Sequence, residues 1–568
     1  MIRSRAQESR AAIEKLYITM RHLFIRGSYK PLGVSGESLI QALHVLQPEI
    51  YGLILDPERV ELNGLLYVLD RLPRGIEECR YVKLISREGY EHSSFENIIP
   101  AKRRRNCYRV DELQMYVEMT RGRSDIYDIL THLTFLYNEA EKIRRNALDH
   151  KGRETPDWVR LRELVEQEAR EEDCDLEAAY SYLSNVLSRT YEETRQAYQQ
   201  FAVDPTRHSL FHIVYYLGKL SIEEAQGKGD REIKFSNTLR ERIGHHVYGE
   251  LWANNIKSIL EEKRLITRPV HIISANLHSF VNIVYGYHAL GRSSYAEIEK
   301  LAVEISQQKK TQLFKKIHDF ALQHGLTEVV DQSGTNISIQ IVDTAQLPGD
   351  SVAPDIPKLS EDEGQSPVLL IMDYAFGEQA YECMDELLKP YDEENGSYPL
   401  KIESISIMGK AGILEGNKGD IMIPTAHVFE GTADNYPLDN QLDADALRGH
   451  GLEVCVGPMI TVLGTSLQNK DVLRYFLKSS WQAIGLEMEG AHYQKAIQAA
   501  AKIRNSINPN VKLRYAYYAS DNPLETGSTL ASGSLGLEGV KPTYLIAFNI
   551  LRQIFSAKKV ERLERVNS

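Results

Sequence analysis

The stretch Arg268–Leu290, RPVHIISANLHSFVNIVYGYHAL, decides the reading of the fold. A short β-branched run, VHIIS, is followed at once by apolar residues recurring every three to four positions. That order is the beginning of an α/β unit. Downstream, after two helical segments ending near His324, ISIQIVD (Ile337 to Asp343) alternates as a strand should. Further apolar runs follow: VLLIMDYAF, SISIMGKAGIL, GDIMIPTAHVF, EVCVGPMITVL, AIGLEMEG and LRYAYYASD, with a last helix TYLIAFNILRQIF. Buried strands alternating with helices predict an α/β fold, a mixed but mostly parallel sheet with flanking helices, over residues 266–558. The proline-, serine- and acid-rich segment 344–366 is expected as an exposed, mobile loop, and 559–568 as a charged tail.

Upstream of Arg268 the spacing differs. IEKLYITMRHLFI and ILTHLTFLYNEAEKI carry the amphipathic-helix period, so 1–265 is expected to be a mainly α-helical domain, with YVKLIS (Tyr81 to Ser86) as one candidate strand. A chain of 568 residues exceeds a single ordinary core, in keeping with at least two domains. Hydrophobic residues make up 42% and charged residues 26%, which argues against a disordered or fibrous chain. The net charge of −12 is spread along the length and gives no reason to expect nucleic acid or an acidic membrane as partner. The basic run Lys102-Arg103-Arg104-Arg105 reads as a solvated helix end or loop sooner than as a phosphate site. The five cysteines are scattered without a CxxC pair, so neither a disulfide framework nor a metal site is indicated, and no cofactor is expected. With no apolar run near 18 residues and no cleavable leader, the expected location is the cytoplasm.

Chemistry is sought where strands end, because the carboxyl edge of an open α/β sheet forms the ligand crevice. Gly409-Lys410-Ala411-Gly412 lets the backbone approach a ligand and offers a cation; an ordinary tight turn is the plain alternative. Gly485-Leu486-Glu487-Met488-Glu489-Gly490 sets two carboxylates at the mouth of a helix, where acid is also common for dipole reasons alone. Ala519-Ser520-Asp521-Asn522-Pro523 places an acid just past an aromatic strand, a pattern that on its own is more often a turn or a cap.

In their order, MGKAGIL, KGDIMI, GLEMEG and YASDNP resemble the purine nucleoside phosphorylase and nucleosidase superfamily. Its members carry a Gly-x-Ala/Cys-Gly loop, a Gly-Asp-hydrophobic strand, a Glu/Asp-Met-Glu motif and a late Ser-Asp. Within it the chain looks most like the AMP nucleosidase family, through TAHVF near His427, VGPMITVLGTSLQNKDVLRYFLKSSWQAIGLEMEG and SDNPLETG. The resemblance covers about half the chain, from Arg268 to Phe555. It implies a homo-oligomeric enzyme, trimer or hexamer, that hydrolyses the N-glycosidic bond of a purine nucleotide or nucleoside. Asp521 would then protonate or hydrogen-bond N7 of the base, with Ser520 orienting it. Glu489 would hold the ribose hydroxyls, Met488 would pack beneath the sugar, and Glu487 would lie beside them. Gly409, Ala411 and Gly412 would border the base or the scissile bond, and His427 would fall among the substrate-binding residues.

Three departures from the family pattern shape the alternatives. Lys410 stands where relatives often have a small or polar residue, and is suited to a free phosphate or a 5′-phosphate. SISIM lacks the arginine that phosphorylases use on phosphate, which favours water as the nucleophile. HIISANLHS lacks the glutamate that activates water in simpler nucleosidases, leaving Asn276 and His278 as the polar groups there; a histidine at a strand end is more often structural. A phosphorylase with phosphate as second substrate, and a catalytically silent nucleotide sensor, stay open beside the hydrolase.

Overall fold

The computed structural model describes residues 4–103, 105–172, 174–291, 298–306, 310–353, 356–358, 364–393, 396–525 and 535–566. They fall into two compact units, Met1–His245 with Ser466–Val472, and His246–Thr465 with Leu473–Ser568.

The N-terminal unit opens on the helix Arg5–Arg26, whose Ser4 and Gln7 form a reciprocal capping box and whose C-cap, Gly27, takes φ 86°. Its longest helix, Gly122–Ala147, is buried along most of its length. Helices make up most of this unit, and a small sheet accompanies them. Strands β1 (Ser28–Tyr29), β2 (Tyr81–Ile85), β3 (Glu96–Ile98), β4 (Cys107–Arg109), β5 (Gln114–Glu118) and β6 (Glu232–Phe235) form one sheet in the order β1-β6-β2-β5-β4-β3. Apart from β2, the candidate YVKLIS, these strands went unread. They are two to five residues long, too short to display a two-residue period. The basic run is solvated only in part: Lys102 is exposed as expected, and Arg105 is not. Arg105 is buried and pairs with Asp125 and Asp128, each at 2.8 Å, and Lys102 pairs with Asp70 at 2.9 Å; Arg104 lies outside the described residues. Pairing and hydrogen bonding are what make a buried guanidinium tolerable.

The C-terminal unit begins with the helix Val247–Glu262, which the sequence reading grouped with the preceding domain. Its Trp252, Ala253, Ile256 and Leu260 belong to this unit's core, and Trp252 Nε1 donates to the Ile337 carbonyl at 3.0 Å. The strands are β7 (Val270–Ser274), β8 (Leu326–Val329), β9 (Ile339–Asp343), β10 (Ser351–Ala353), β11 (Ile356–Pro357), β12 (Val368–Met372), β13 (Tyr391–Glu393), β14 (Gly396–Tyr398), β15 (Ile402–Ile413), β16 (Ile421–Phe429), β17 (Asn435–Pro437), β18 (Val454–Thr461), β19 (Gly485–Glu487) and β20 (Lys512–Asp521). The main sheet has ten strands, in the order β17-β16-β18-β19-β15-β7-β12-β9-β8, with β20 pairing to both β15 and β16. Through β20, the strands β15, β20, β16, β18 and β19 close into a ring.

This α/β sheet is mixed, not mostly parallel as expected. β7 runs parallel to β12 and β15, and β15 to β20, while β9 is antiparallel to β8 and β12, β17 and β20 to β16, and β19 to β15. β7, β9 and β12 are buried at every position. A strand covered on both faces reads as a continuous apolar run whichever way it points, so burial alone could not reveal direction. Two apolar layers cover the sheet, one including Ile407, Ala411, Tyr517 and Ala519, the other Met408, Ile423, Ala516 and Tyr518. Segment 344–366, expected as an exposed loop, buries Thr344, Leu347, Val352, Ala353 and Ile356, and β10 and β11 pair within it; residues 354–355 and 359–363 lie outside the described set. The last helix continues to Val566, through most of the expected tail. No helix among the described residues is long and apolar enough to cross a membrane.

Candidate active site

Because β7, β12, β15 and β20 are linked by parallel pairings, their carboxyl ends lie along one sheet edge. The three motifs meet there. Register places Lys410 opposite Tyr518 and Gly412 opposite Asp521, with an irregularity at Ala411/Gly412. A cleft of about 750 Å³ opens beside them, lined by Asn276, His278, Lys410, Tyr518, Phe314 and Tyr544 among others. Asn276 caps the helix Leu277–Leu290 by accepting from the His278 N–H at 2.9 Å, which carries His278 to the cleft as an exposed residue. The His278 ring meets Phe314 edge-on, with centroids 4.9 Å apart.

Asp521 ends β20 fully buried. Its Oδ1 lies 2.6 Å from Ser520 Oγ, which also lies 3.1 Å from the Ala411 carbonyl. Its Oδ2 has no hydrogen-bond partner among the described residues. Burial raises the Asp521 pKa above the usual carboxylate value, against the Ser520 hydrogen bond and the charges of Lys410 and Lys418. A buried carboxyl oxygen without a partner is costly in a folded chain and is the feature a ligand atom would satisfy.

The second carboxylate group is built by the turn from β19 into the helix Gly490–Gln498. Glu487 is buried. Its Oε2 accepts from the main-chain N–H groups of Glu489 (2.6 Å) and Gly490, free donors at a helix start, and its Oε1 accepts from Thr461 Oγ1. Burial, followed by the nearby Glu489 charge, pushes Glu487 up to about 8 against those hydrogen bonds. Glu489 is half-buried and accepts from the Gly377 N–H at 3.0 Å, and Met488 is buried beside it. Ser274, at the end of β7, bonds the Tyr493 hydroxyl at 3.0 Å and ties this helix to the same edge.

His427 sits apart from the cleft lining. It is fully buried against Tyr515 and Tyr517, 3.3 Å from the Tyr517 hydroxyl, and burial pushes it down to about 3, so it is neutral at physiological pH. A Cβ on Gly490 would come within 2.2 Å of its ring, so glycine there is a matter of space. Gly409 differs: a Cβ would meet Tyr374 and Tyr517 at 3.6 and 3.8 Å, ordinary contact distances. Thr461, Gly377, Tyr518 and Tyr493 were not singled out from sequence. Only Tyr518 carried a signal, two residues before Ser520 in YAYYASD and so on Ser520's side of the strand. The Thr526-Gly527 end of SDNPLETG lies outside the described residues.

A family model described as "Family of unknown function (DUF6909)" matches residues 37–319 and 295–556. The chain belongs to that family. No curated protein matches it. Among solved structures, it is similar to the Campylobacter jejuni 5′-methylthioadenosine/S-adenosyl homocysteine nucleosidase at 12% identity and TM-score 0.31, covering 51% of this chain and 99% of that one. It is similar to the Helicobacter pylori futalosine hydrolase mutant at 10% identity and TM-score 0.28, covering 50% and 97%. For the Streptococcus pneumoniae MTA/SAH nucleosidase with 8-aminoadenine the figures are 12%, 0.29, 50% and 99%.

Proposed function

We propose that the C-terminal unit hydrolyses the N-glycosidic bond of a purine nucleoside or nucleotide. The observation that carries this reading is the buried Asp521 at the end of β20, with one oxygen held by Ser520 and the other without a partner among the described residues. The order of MGKAGIL, GLEMEG and YASDNP supports it. Protonated Asp521 donates to N7 as the bond from C1′ to N9 breaks and its electron pair passes to the base. Water adds to C1′ and gives up a proton, and one proton restores Asp521. Glu489 holds the ribose hydroxyls against the developing positive charge of the sugar, and Asn276 and His278 orient the water.

Lys410, exposed on the cleft, favours a nucleotide within this reading, as in AMP nucleosidases: its ammonium meets the 5′-phosphate. The test is a panel of purine nucleosides and their 5′-monophosphates, with and without inorganic phosphate. Free base with ribose 5-phosphate, at a rate independent of added phosphate, is the expected result. Ribose 1-phosphate formed only with phosphate would make the protein a phosphorylase, and binding without turnover would make it a sensor.

A further inference from the structure

We propose that Glu77, His208 and His212 form a binding site for a divalent transition-metal cation of the zinc class in the N-terminal unit, independent of the cleft described above. Each residue presents one ligand atom, and the three atoms lie within 4.8 Å of one another. Glu77 comes from the short 3₁₀ turn Ile76–Glu78, His208 from just before the Ser209 cap of the helix Leu210–Ala225, and His212 from its first turn. The two histidines, four apart in the chain, lie side by side with ring centroids 4.1 Å apart. Glu77 lies 131 residues from His208, which is why no ligand set was visible in the sequence.

Two imidazoles and a carboxylate are ligands that zinc, cobalt and nickel accept and magnesium does not favour. Metal bonds of about 2.0–2.2 Å set tetrahedral ligand atoms roughly 3.4 Å apart, so side-chain rotation closes the trio on a cation. An outer partner is already in position. His212 Nε2 lies 2.7 Å from Glu78 Oε1, and Glu78 is itself paired with Arg109 at 2.7 Å. A carboxylate that accepts one ring N–H leaves the other nitrogen with its lone pair for metal, the usual second layer of a histidine site. Glu77 is 3% exposed, and a carboxylate so buried calls for a compensating positive charge. A cleft of about 330 Å³, lined by Arg74, Glu78, Glu96, Arg109 and His208 among others, reaches the trio at His208, giving an approach path and room for a water as fourth ligand. The rival arrangement is a pair of His–Glu hydrogen bonds with no cation, since His208 Nδ1 already lies 2.6 Å from Glu77 Oε1.

The full-length chain, stripped with a chelator, is titrated calorimetrically with Zn²⁺ and separately with Mg²⁺, and Co²⁺ is followed by its visible absorption. One equivalent of Zn²⁺ binding, no binding of Mg²⁺, and a tetrahedral Co²⁺ spectrum are expected. His208→Asn and His212→Asn each weaken Zn²⁺ at least about 100-fold, beyond the range of an outer-layer change. Glu77→Gln, close to isosteric, weakens it as well and serves if a histidine variant fails to fold. Absence of Zn²⁺ binding, equal binding of Mg²⁺, or unchanged Zn²⁺ binding in folded variants overturns the site.

Discussion

Ser520 Oγ stands between two acceptors, 2.6 Å from Asp521 Oδ1 and 3.1 Å from the Ala411 carbonyl oxygen. A hydroxyl has one proton to give. When it points to Ala411, its lone pair faces Asp521, a contact that is favourable only if the carboxyl carries the proton. When it points to Asp521, it holds the carboxylate. The pair therefore accommodates both protonation states that an acid must pass through in one turnover.

Asp521→Asn is expected to keep the melting temperature of the native chain and to lower kcat by about 10²- to 10⁴-fold, the usual contribution of a general acid. If Asp521 is the general acid as proposed, kcat/KM should fall as pH rises through its raised pKa. Ser520→Ala removes a hydrogen bond that lowers that pKa, and the falling limb should move to higher pH. A limb that stays where it was would detach Ser520 from the proton.

Glu489→Gln should cost ribosides far more than 2′,3′-dideoxyribosides, because the carboxylate has nothing to bind when the hydroxyls are gone. Steady-state kinetics on matched pairs decide this, and equal losses on both would mean that Glu489 does not read the sugar.

Lys410→Met keeps most of the side-chain volume and deletes the charge. One lost charge-assisted hydrogen bond is worth roughly 1.5–3 kcal/mol, so kcat/KM for a monophosphate should fall about 10- to 150-fold with the matching nucleoside nearly unchanged. A parallel fall on both substrates would move Lys410 from the 5′-phosphate to the reaction centre.

Glu487 links stability to pH. Its folded pKa of about 8 lies above the unfolded value of about 4.3, so its stabilising contribution is complete below the latter and is lost as pH rises toward the former. The loss is steepest in the middle of that range and tapers as pH approaches about 8. Thermal unfolding across that window should show a flatter profile for Glu487→Gln than for the native chain, and identical slopes would contradict the coupling.

Gly490→Ala drives a methyl into the His427 ring, against which the added atom would lie 2.2 Å away. A loss of about 1–3 kcal/mol is expected from the overpacking. Combining it with His427→Ala should give less than the sum of the two single losses, since the second change removes the obstacle. Strict additivity in denaturant unfolding would show that the clash is relieved elsewhere.

The parts of the site that were legible are those carried by consecutive residues at strand ends. SISIMGKAGIL, GLEMEG and YASDNP each pair an apolar run with small or acidic residues, and all three arrive at the edge formed by β7, β15 and β20. What holds them in place was not legible, because it comes from remote chain. Thr461 reaches Glu487 across 26 residues and Gly377 reaches Glu489 across 112. In the fold, helical periodicity survived over the long helix Gly122–Ala147, while β1, β3 and β4, at two or three residues, left no pattern to read. Strand direction escaped for a different reason: neither the alternation of β9 (IQIVD) nor the apolar run of β12 (VLLIM) records which way the strand points, and the two are antiparallel.

The segment Ser466–Val472 belongs to the N-terminal unit, although the chain on either side of it belongs to the C-terminal one. It is anchored there by the Asn469 side-chain amide, which donates to the Leu46 carbonyl at 2.7 Å, and by the Gln468 carbonyl, which accepts from the Glu49 N–H at 2.9 Å. A gene fragment beginning at His246 therefore encodes a plug whose socket has been deleted, with a buried amide and an apolar Val472 turned out into water. Modular exchange, in which the C-terminal unit is grafted whole onto another protein, requires that this insert be rebuilt as a polar linker or carried together with its receptor. The interleaving makes the two units a single heritable part.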